Sequence, residues 1–259
     1  MQFDFLNILL LLGAVQGFTL CIFLYKRRSV NPAAYWFLCL CLFSLGFFNF
    51  TYALHYSGID RIGFIPLDAF PLPYKYLIGV GAYLYVRSHT SGVQGAALLR
   101  REWYWFLPAL VYGLLRSYWY SFVLREGTNR IIQVVDDSGF FIVNEFVYLF
   151  FDLVLAGLAW RSLQRMDEAQ RLKNRGWLKT FLTGFGLLTV FSIVLVVIDL
   201  SIHRIDTIPF YYPTLIVNSL FIYWIGYVGF SKPSTFFGAV RTTAPPADKW
   251  EPVQEALRR

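Results

Sequence analysis

Seven long apolar blocks run along the chain, and its polar residues gather between them. The blocks lie at about residues 5–25, 33–56, 66–87, 103–122, 140–160, 177–200 and 210–230. An apolar run of about 20 residues, rising about 1.5 Å each as a helix, matches the roughly 30 Å hydrocarbon layer of a bilayer. The pattern therefore predicts an all-α membrane protein with seven transmembrane helices. The first block is too long for the core of a signal peptide and has no small-residue cleavage site behind it, so it is read as a retained anchor. The third is short if it starts at Tyr74, so its helix is expected to begin upstream, behind the Gly/Pro-rich connection 57–73.

One block differs from the rest. Residues 140–160 carry Glu145 and Asp152, seven apart and on nearly the same helix face, with Tyr148 between them. An ionised acid near the bilayer centre costs about 2.5 to 3.5 kcal/mol or more, so this face should meet protein or trapped water, not lipid. The other six blocks are read as the wall around it.

Composition agrees with the pattern: 57% of residues are hydrophobic and 15% charged, against about 25% charged in soluble domains. A formal charge of +7 could point to nucleic acid, but its distribution does not. Most of the 23 Lys and Arg residues cluster at block ends on one side, as in Lys26-Arg27-Arg28, Arg100-Arg101 and the series from Arg161 to Lys179. The opposite side has only Arg61, Lys75, Arg116, Arg125, Arg130 and Arg204. The positive-inside rule then places the N-terminus outside and the C-terminus in the cytoplasm. Residues 1–231 form the membrane domain and 232–259 a flexible cytoplasmic tail.

With that orientation, polar side chains inside the blocks fall mostly in the outer half. They are Tyr52 and His55 in the second block, Lys75 in the third and Arg116 in the fourth, then Glu145 and Tyr148, Asp199 in the sixth, and Tyr212 in the seventh. Arg116 and Glu145 lie at similar depth, and consecutive antiparallel helices are usually neighbours. An Arg116–Glu145 ion pair is expected, either as structural neutralisation or as the lining of an outward-facing ligand cup. Asp152, the deepest acid, is read either as a protonated packing group or as a switch. Together with Asp152, the outer-half residues are the candidate ligand-binding set, suited to a small amphipathic or peptide-like ligand.

Known chemistry is sparse. The chain has no G-x-S-x-G, H-E-x-x-H, P-loop or dinucleotide fingerprint, so no enzymatic activity, catalytic residue, cofactor or metal is assigned. Cys21, Cys39 and Cys41 lie in apolar runs and read as small buried hydrophobes. Gly13 and Gly17 form a small-xxx-small pair that serves close helix packing within the chain or, alternatively, in a homodimer.

Several stretches resemble one family. Gly13-Ala14-Val15-Gln16-Gly17 followed by the basic stop and Asn31-Pro32-Ala33-Ala34, then Leu72-Pro73-Tyr74-Lys75-Tyr76-Leu77-Ile78-Gly79, Phe106-Leu107-Pro108 and Ile222-Tyr223-Trp224-Ile225-Gly226-Tyr227 are similar to the membrane-embedded N-terminal sensory region of bacterial AraC-type helix-turn-helix regulators and related sensor kinases. Val80 departs from the pattern, since such sequences often carry Pro there. The resemblance implies a multi-pass protein of the bacterial inner membrane that senses an extracytoplasmic or membrane-borne ligand and drives a cytoplasmic transcriptional or kinase output. The chain itself would touch membrane lipid and its ligand, but no nucleic acid. Trp250, Val253 and Leu257 at helical spacing would open the connection to the output domain. A small-molecule transporter or channel subunit is the alternative, and a structural membrane partner a third option.

Overall fold

A computed structural model describes residues 5–26, 32–57, 72–91, 95–126, 140–166, 168–202 and 208–231. Nearly all the described residues are helical and none is in a strand: α1 Phe5–Lys26, α2 Pro32–Ser57, α3 Tyr74–Thr90, α4 Ala96–Glu102, a 3-10 turn Trp103–Phe106, α5 Leu107–Glu126, α6 Phe140–Gln164, α7 Glu168–Ile202 and α8 Ile208–Ser231. Four segments, Phe5–Lys26, Ala33–His55, Val143–Gln164 and Arg175–Ile198, are long and apolar enough to cross a membrane. Large apolar side chains such as Val111, Leu114, Phe150 and Leu187 remain exposed on the outer faces, as in helices whose outer surface meets hydrocarbon.

Element bounds differ from the sequence reading in places. α3 begins at Tyr74, with Leu72 and Pro73 outside any helix, and the residues where its upstream start was expected lie outside the described set. The polar connection after α3 contains a short helix, α4, entered through Gly95 at φ 65°, a conformation open to glycine at little cost. α7 begins at Glu168 rather than near residue 177, because the polar residues ahead of the apolar block continue the same helix. The tail, 232–259, also lies outside the described residues.

The packing closes a circuit. α1 touches α2, α2 touches α3, α3 touches α6, α6 touches α7, α7 touches α8, and α8 returns to α1. α2 also meets α8 and α3 also meets α7, while α5 packs against α3. α3 is consequently the most enclosed helix, with an unbroken buried run from Ile78 to Val86. The sequence reading put the carboxylate helix α6 at the centre; α3 holds that place.

Glycines let α3 in. A Cβ on Gly81 would come within 2.6 Å of the Cys41 backbone nitrogen and 2.9 Å of its Cα, so α2 and α3 touch backbone to backbone. Gly79 faces the other way, and a Cβ there would overlap Asp152 of α6. The Gly13 and Gly17 pair does the same for α1. Gly17 packs on Leu42 and Gly46 of α2, and Gly13 on Asn49 of α2 and Ser219 of α8, so both serve packing within the chain.

Candidate functional site

Lys75 stands in the first turn of α3, where the positive end of the helix dipole disfavours a cation. Something else must hold it, and Glu145 does. The Lys75 ammonium Nζ donates to Glu145 Oε1, joining α3 to α6 through a buried ion pair. It also donates to the Tyr52 hydroxyl of α2 at 3.4 Å. Three rings surround the ammonium, with centroids at 5.2 Å for Phe48, 5.6 Å for Tyr52 and 5.1 Å for Tyr148. Cation–π attraction grows when the cation is desolvated, as it is here. The other carboxylate oxygen, Glu145 Oε2, is buried and accepts no hydrogen bond among the described residues.

The expected Arg116–Glu145 pair is therefore corrected: the cation on Glu145 is Lys75. Arg116 is buried on α5, donates to the Tyr112 hydroxyl at 3.5 Å and lies 5.7 Å from the Tyr112 ring centroid. The physical reason is lateral arrangement. α6 packs mainly on α3 and α7; its predecessor in the chain, α5, packs against α3 and also meets α6, as where the Trp119 and Phe140 rings lie 4.9 Å apart, but Arg116 sits beside Tyr112 while Lys75 of α3 reaches Glu145. Residue contacts show α3 and α6 running in the same direction: Lys75 meets Glu145, Gly79 meets Asp152, and Arg87 Nη1 reaches Ser162 Oγ at 3.3 Å.

The remaining candidates separate into two groups. Tyr52, Lys75, Glu145 and Tyr148 meet in one cluster. Asp152 lies two turns further along α6, buried beside Gly79, with Oδ1 accepting no hydrogen bond among the described residues. Tyr212 of α8 donates to Asn7 of α1 at 3.1 Å, on the far side of the circuit. His55 is half-buried near the end of α2. The Asp199 side chain falls outside the described residues. Nearby polar pairs tie further helices: Asn49 donates to Ser219 Oγ at 2.8 Å, and the Tyr76 hydroxyl to Asn144 Oδ1 at 2.9 Å.

A second charged cluster sits at the opposite end of α3. Glu102, the last residue of α4, is buried and accepts from the Tyr83 hydroxyl at 3.2 Å, the Tyr104 hydroxyl at 3.0 Å and the Trp105 indole at 3.1 Å. Arg87 approaches its other oxygen at 3.5 Å and Arg101 at 3.9 Å. Burial alone would push this carboxyl up, but the bonds from Tyr104, Trp105 and Tyr83, with the Arg87 charge, hold it below the ordinary carboxylate value. Sequence reasoning passed over Glu102 as the close of a polar stretch. The available signal was its position directly before Trp103-Tyr104-Trp105-Phe106, a run rich in polar-tipped aromatics that seek partners when buried.

No group of three or more His, Cys, Asp and Glu placed to hold a metal occurs among the described residues. Cys21 and Cys39 are free thiols on adjacent helices, each donating to the other's backbone carbonyl at 3.3 and 3.5 Å. The chain matches no family model, no curated protein and no solved structure.

Proposed function

We propose that the chain is a seven-span sensory module of the bacterial inner membrane, N-terminus outside, which detects an extracytoplasmic or membrane-borne ligand and passes the signal to a cytoplasmic transcriptional or kinase output. The observation that supports this most is that one buried helix carries a charged cluster near each end. Lys75 opens α3 in the aromatic cage, and Arg87, twelve residues and about 18 Å along, meets Glu102 and Ser162. Both ends of α3 are thus tied to α6. A helix locked by packing moves as a body, so a change at the Lys75–Glu145 pair shifts Arg87 and its partners. The surplus of Lys and Arg at the second end supports a cytoplasmic location for it by the positive-inside rule.

The test is hydrogen–deuterium exchange on the full chain in nanodiscs. Lys75→Met should change exchange over residues 83–106, at the far end of α3. Unchanged exchange there would remove the coupling on which the sensory reading rests. The alternative, a small-molecule transporter or channel subunit, draws on the two acids Glu145 and Asp152 within one apolar helix. Reproducible solute flux in proteoliposomes would favour it over the sensor.

A further inference from the structure

Every exposed charge among the described side chains is positive. Glu102, Glu145 and Asp152 are the carboxylates whose side chains are described, and all three are buried, whereas Arg100, Arg101, Arg161, Arg165, Arg175 and Lys179 are exposed. Four of these arginines gather about Arg87. Its Nε reaches Glu102 Oε1 at 3.5 Å, Arg101 Nε approaches the same oxygen at 3.9 Å, and Arg87 Nη1 reaches Ser162 Oγ at 3.3 Å. Arg100 and Arg101 at the end of α4 therefore flank Arg87 on one side, and Arg161 and Arg165, one turn apart at the end of α6, flank it on the other. Glu102 is the one carboxylate facing this group among the described residues, and it is buried and already bonded to Tyr83, Tyr104 and Trp105. Crowded like charges repel, and an anion on the surface relieves that repulsion.

The neighbouring apolar side chains narrow the class of anion. Leu99, beside the basic pair, is 42% exposed, Trp103 56% and Tyr104 44%, and the exposed series runs on through Leu107, Leu110 and Leu114 of α5. α5 leads away from this end of the bundle, since its Tyr112 ring lies 5.1 Å from that of Tyr76 near the start of α3. In order of depth the surface thus presents arginine, then tryptophan and tyrosine, then leucine. A bilayer has matching layers: anionic headgroups, the interfacial belt and hydrocarbon. An acidic protein or a nucleic acid would meet the arginines but has no use for the apolar series that continues from them. Clustered guanidinium groups match phosphate oxygens. We infer that the end of α4 with its 3-10 turn, together with the end of α6, forms a docking surface for the phosphate headgroup of an anionic phospholipid. Arg100, Arg101, Arg161 and Arg165 take the phosphate, and Trp103 and Tyr104 lie at the glycerol layer. The surface needs only a bilayer around the helices and is independent of sensing and of orientation.

Native mass spectrometry of the purified full chain in neutral detergent, supplied with phosphatidylglycerol and phosphatidylcholine of the same acyl chains, tests the inference. Phosphatidylglycerol should be retained at least about fivefold over phosphatidylcholine, the scale of one basic residue's attraction to an anionic leaflet. The preference should be lost in Arg100→Gln with Arg101→Gln and reduced in Arg161→Gln with Arg165→Gln. Lys26→Gln should keep it, because Lys26 ends α1, which packs on α2 and α8. All these side chains are exposed, so the changes leave the core intact. Equal retention of the two lipids, or as large a loss in Lys26→Gln, would overturn the site. Two measurements use the unaltered chain. Its thermal stabilisation by phosphatidylglycerol should shrink as salt rises from about 0.1 to about 1 M, where the screening length falls to about 3 Å; indifference to salt would overturn recognition by charge. In phosphatidylcholine nanodiscs, inorganic phosphate and poly-L-glutamate should give no saturable melting shift. A shift with either that Arg100→Gln and Arg101→Gln abolish would assign the surface to a free phosphate or an acidic protein and overturn the lipid.

Discussion

Asp152 of α6 lies directly against Gly79 of α3, so that a single added methyl on the glycine would overlap the Asp152 carboxylate and come within 3.1 Å of its Cα. Two turns nearer the N-terminus of α6, Glu145 holds Lys75, four residues before Gly79. A close helix crossing and an ion pair thus lie on one seam.

Gly79→Ala and Gly81→Ala should both lower the melting temperature, and Gly81→Ala more. At Gly79 the first obstacles belong to the Asp152 carboxylate, which can rotate; at Gly81 they are Cys41 backbone atoms and the Phe37 carbonyl, which cannot. Overpacking of this kind costs about 1 to 3 kcal/mol. Adding Asp152→Ala should recover part of the Gly79→Ala loss and none of the Gly81→Ala loss, as read by thermal melting in detergent.

The ion pair can be assigned by double-mutant cycles. Glu145→Gln or Lys75→Met alone should cost on the order of 3 to 5 kcal/mol, as for other broken buried pairs, with the double variant recovering much of it. The corresponding cycle between Arg116→Ala and Glu145→Gln should be close to additive, within about 0.5 kcal/mol. Coupling of Glu145 to Arg116 as large as that to Lys75 would contradict the geometry.

Glu102 should make stability depend on acid. Its folded-state carboxyl is held below the ordinary value, so its contribution is fully present above the unfolded carboxylate range and is lost as pH falls through the folded value. Melting temperature measured from pH 7 downwards should therefore decline in the acid range, and Glu102→Gln should flatten that decline. An unaltered profile in Glu102→Gln would show that the bonds from Tyr83, Tyr104 and Trp105 carry no net preference for the ionised form.

Trp177 of α7 donates from its indole nitrogen to the Tyr85 hydroxyl of α3 at 2.8 Å and stacks on Trp224 of α8 at 5.3 Å between centroids. Tyr85→Phe leaves the buried indole N–H without that acceptor, at about 1 to 3 kcal/mol. The change should also move the tryptophan emission maximum, which reports the environment of the stacked pair. Tyr85→Phe with the melting temperature and emission of the parent chain would refute the bond.

The sequence by itself determined which segments are apolar helices and which side chains inside them are costly to bury. Glu145, Asp152, Lys75 and Arg116 stand out because a charge within an apolar run demands a partner, whatever the fold. Small residues such as Gly13 and Gly17 likewise announce close packing. Only the tertiary structure decided who the partners are. A helix that is apolar on every face has little amphipathic bias to show which side meets which neighbour, so chain order suggested Arg116 where lateral packing supplied Lys75. The same physics hid α3: Gly79 and Gly81 permit close approach, but its central burial follows from being flanked by α2, α5, α6 and α7, which no apolar pattern along residues 74–90 records. Glu102 had a local signal in its donors Tyr104 and Trp105, but its other partners, Tyr83 and Arg87, come from another helix, an approach that no spacing along the chain records.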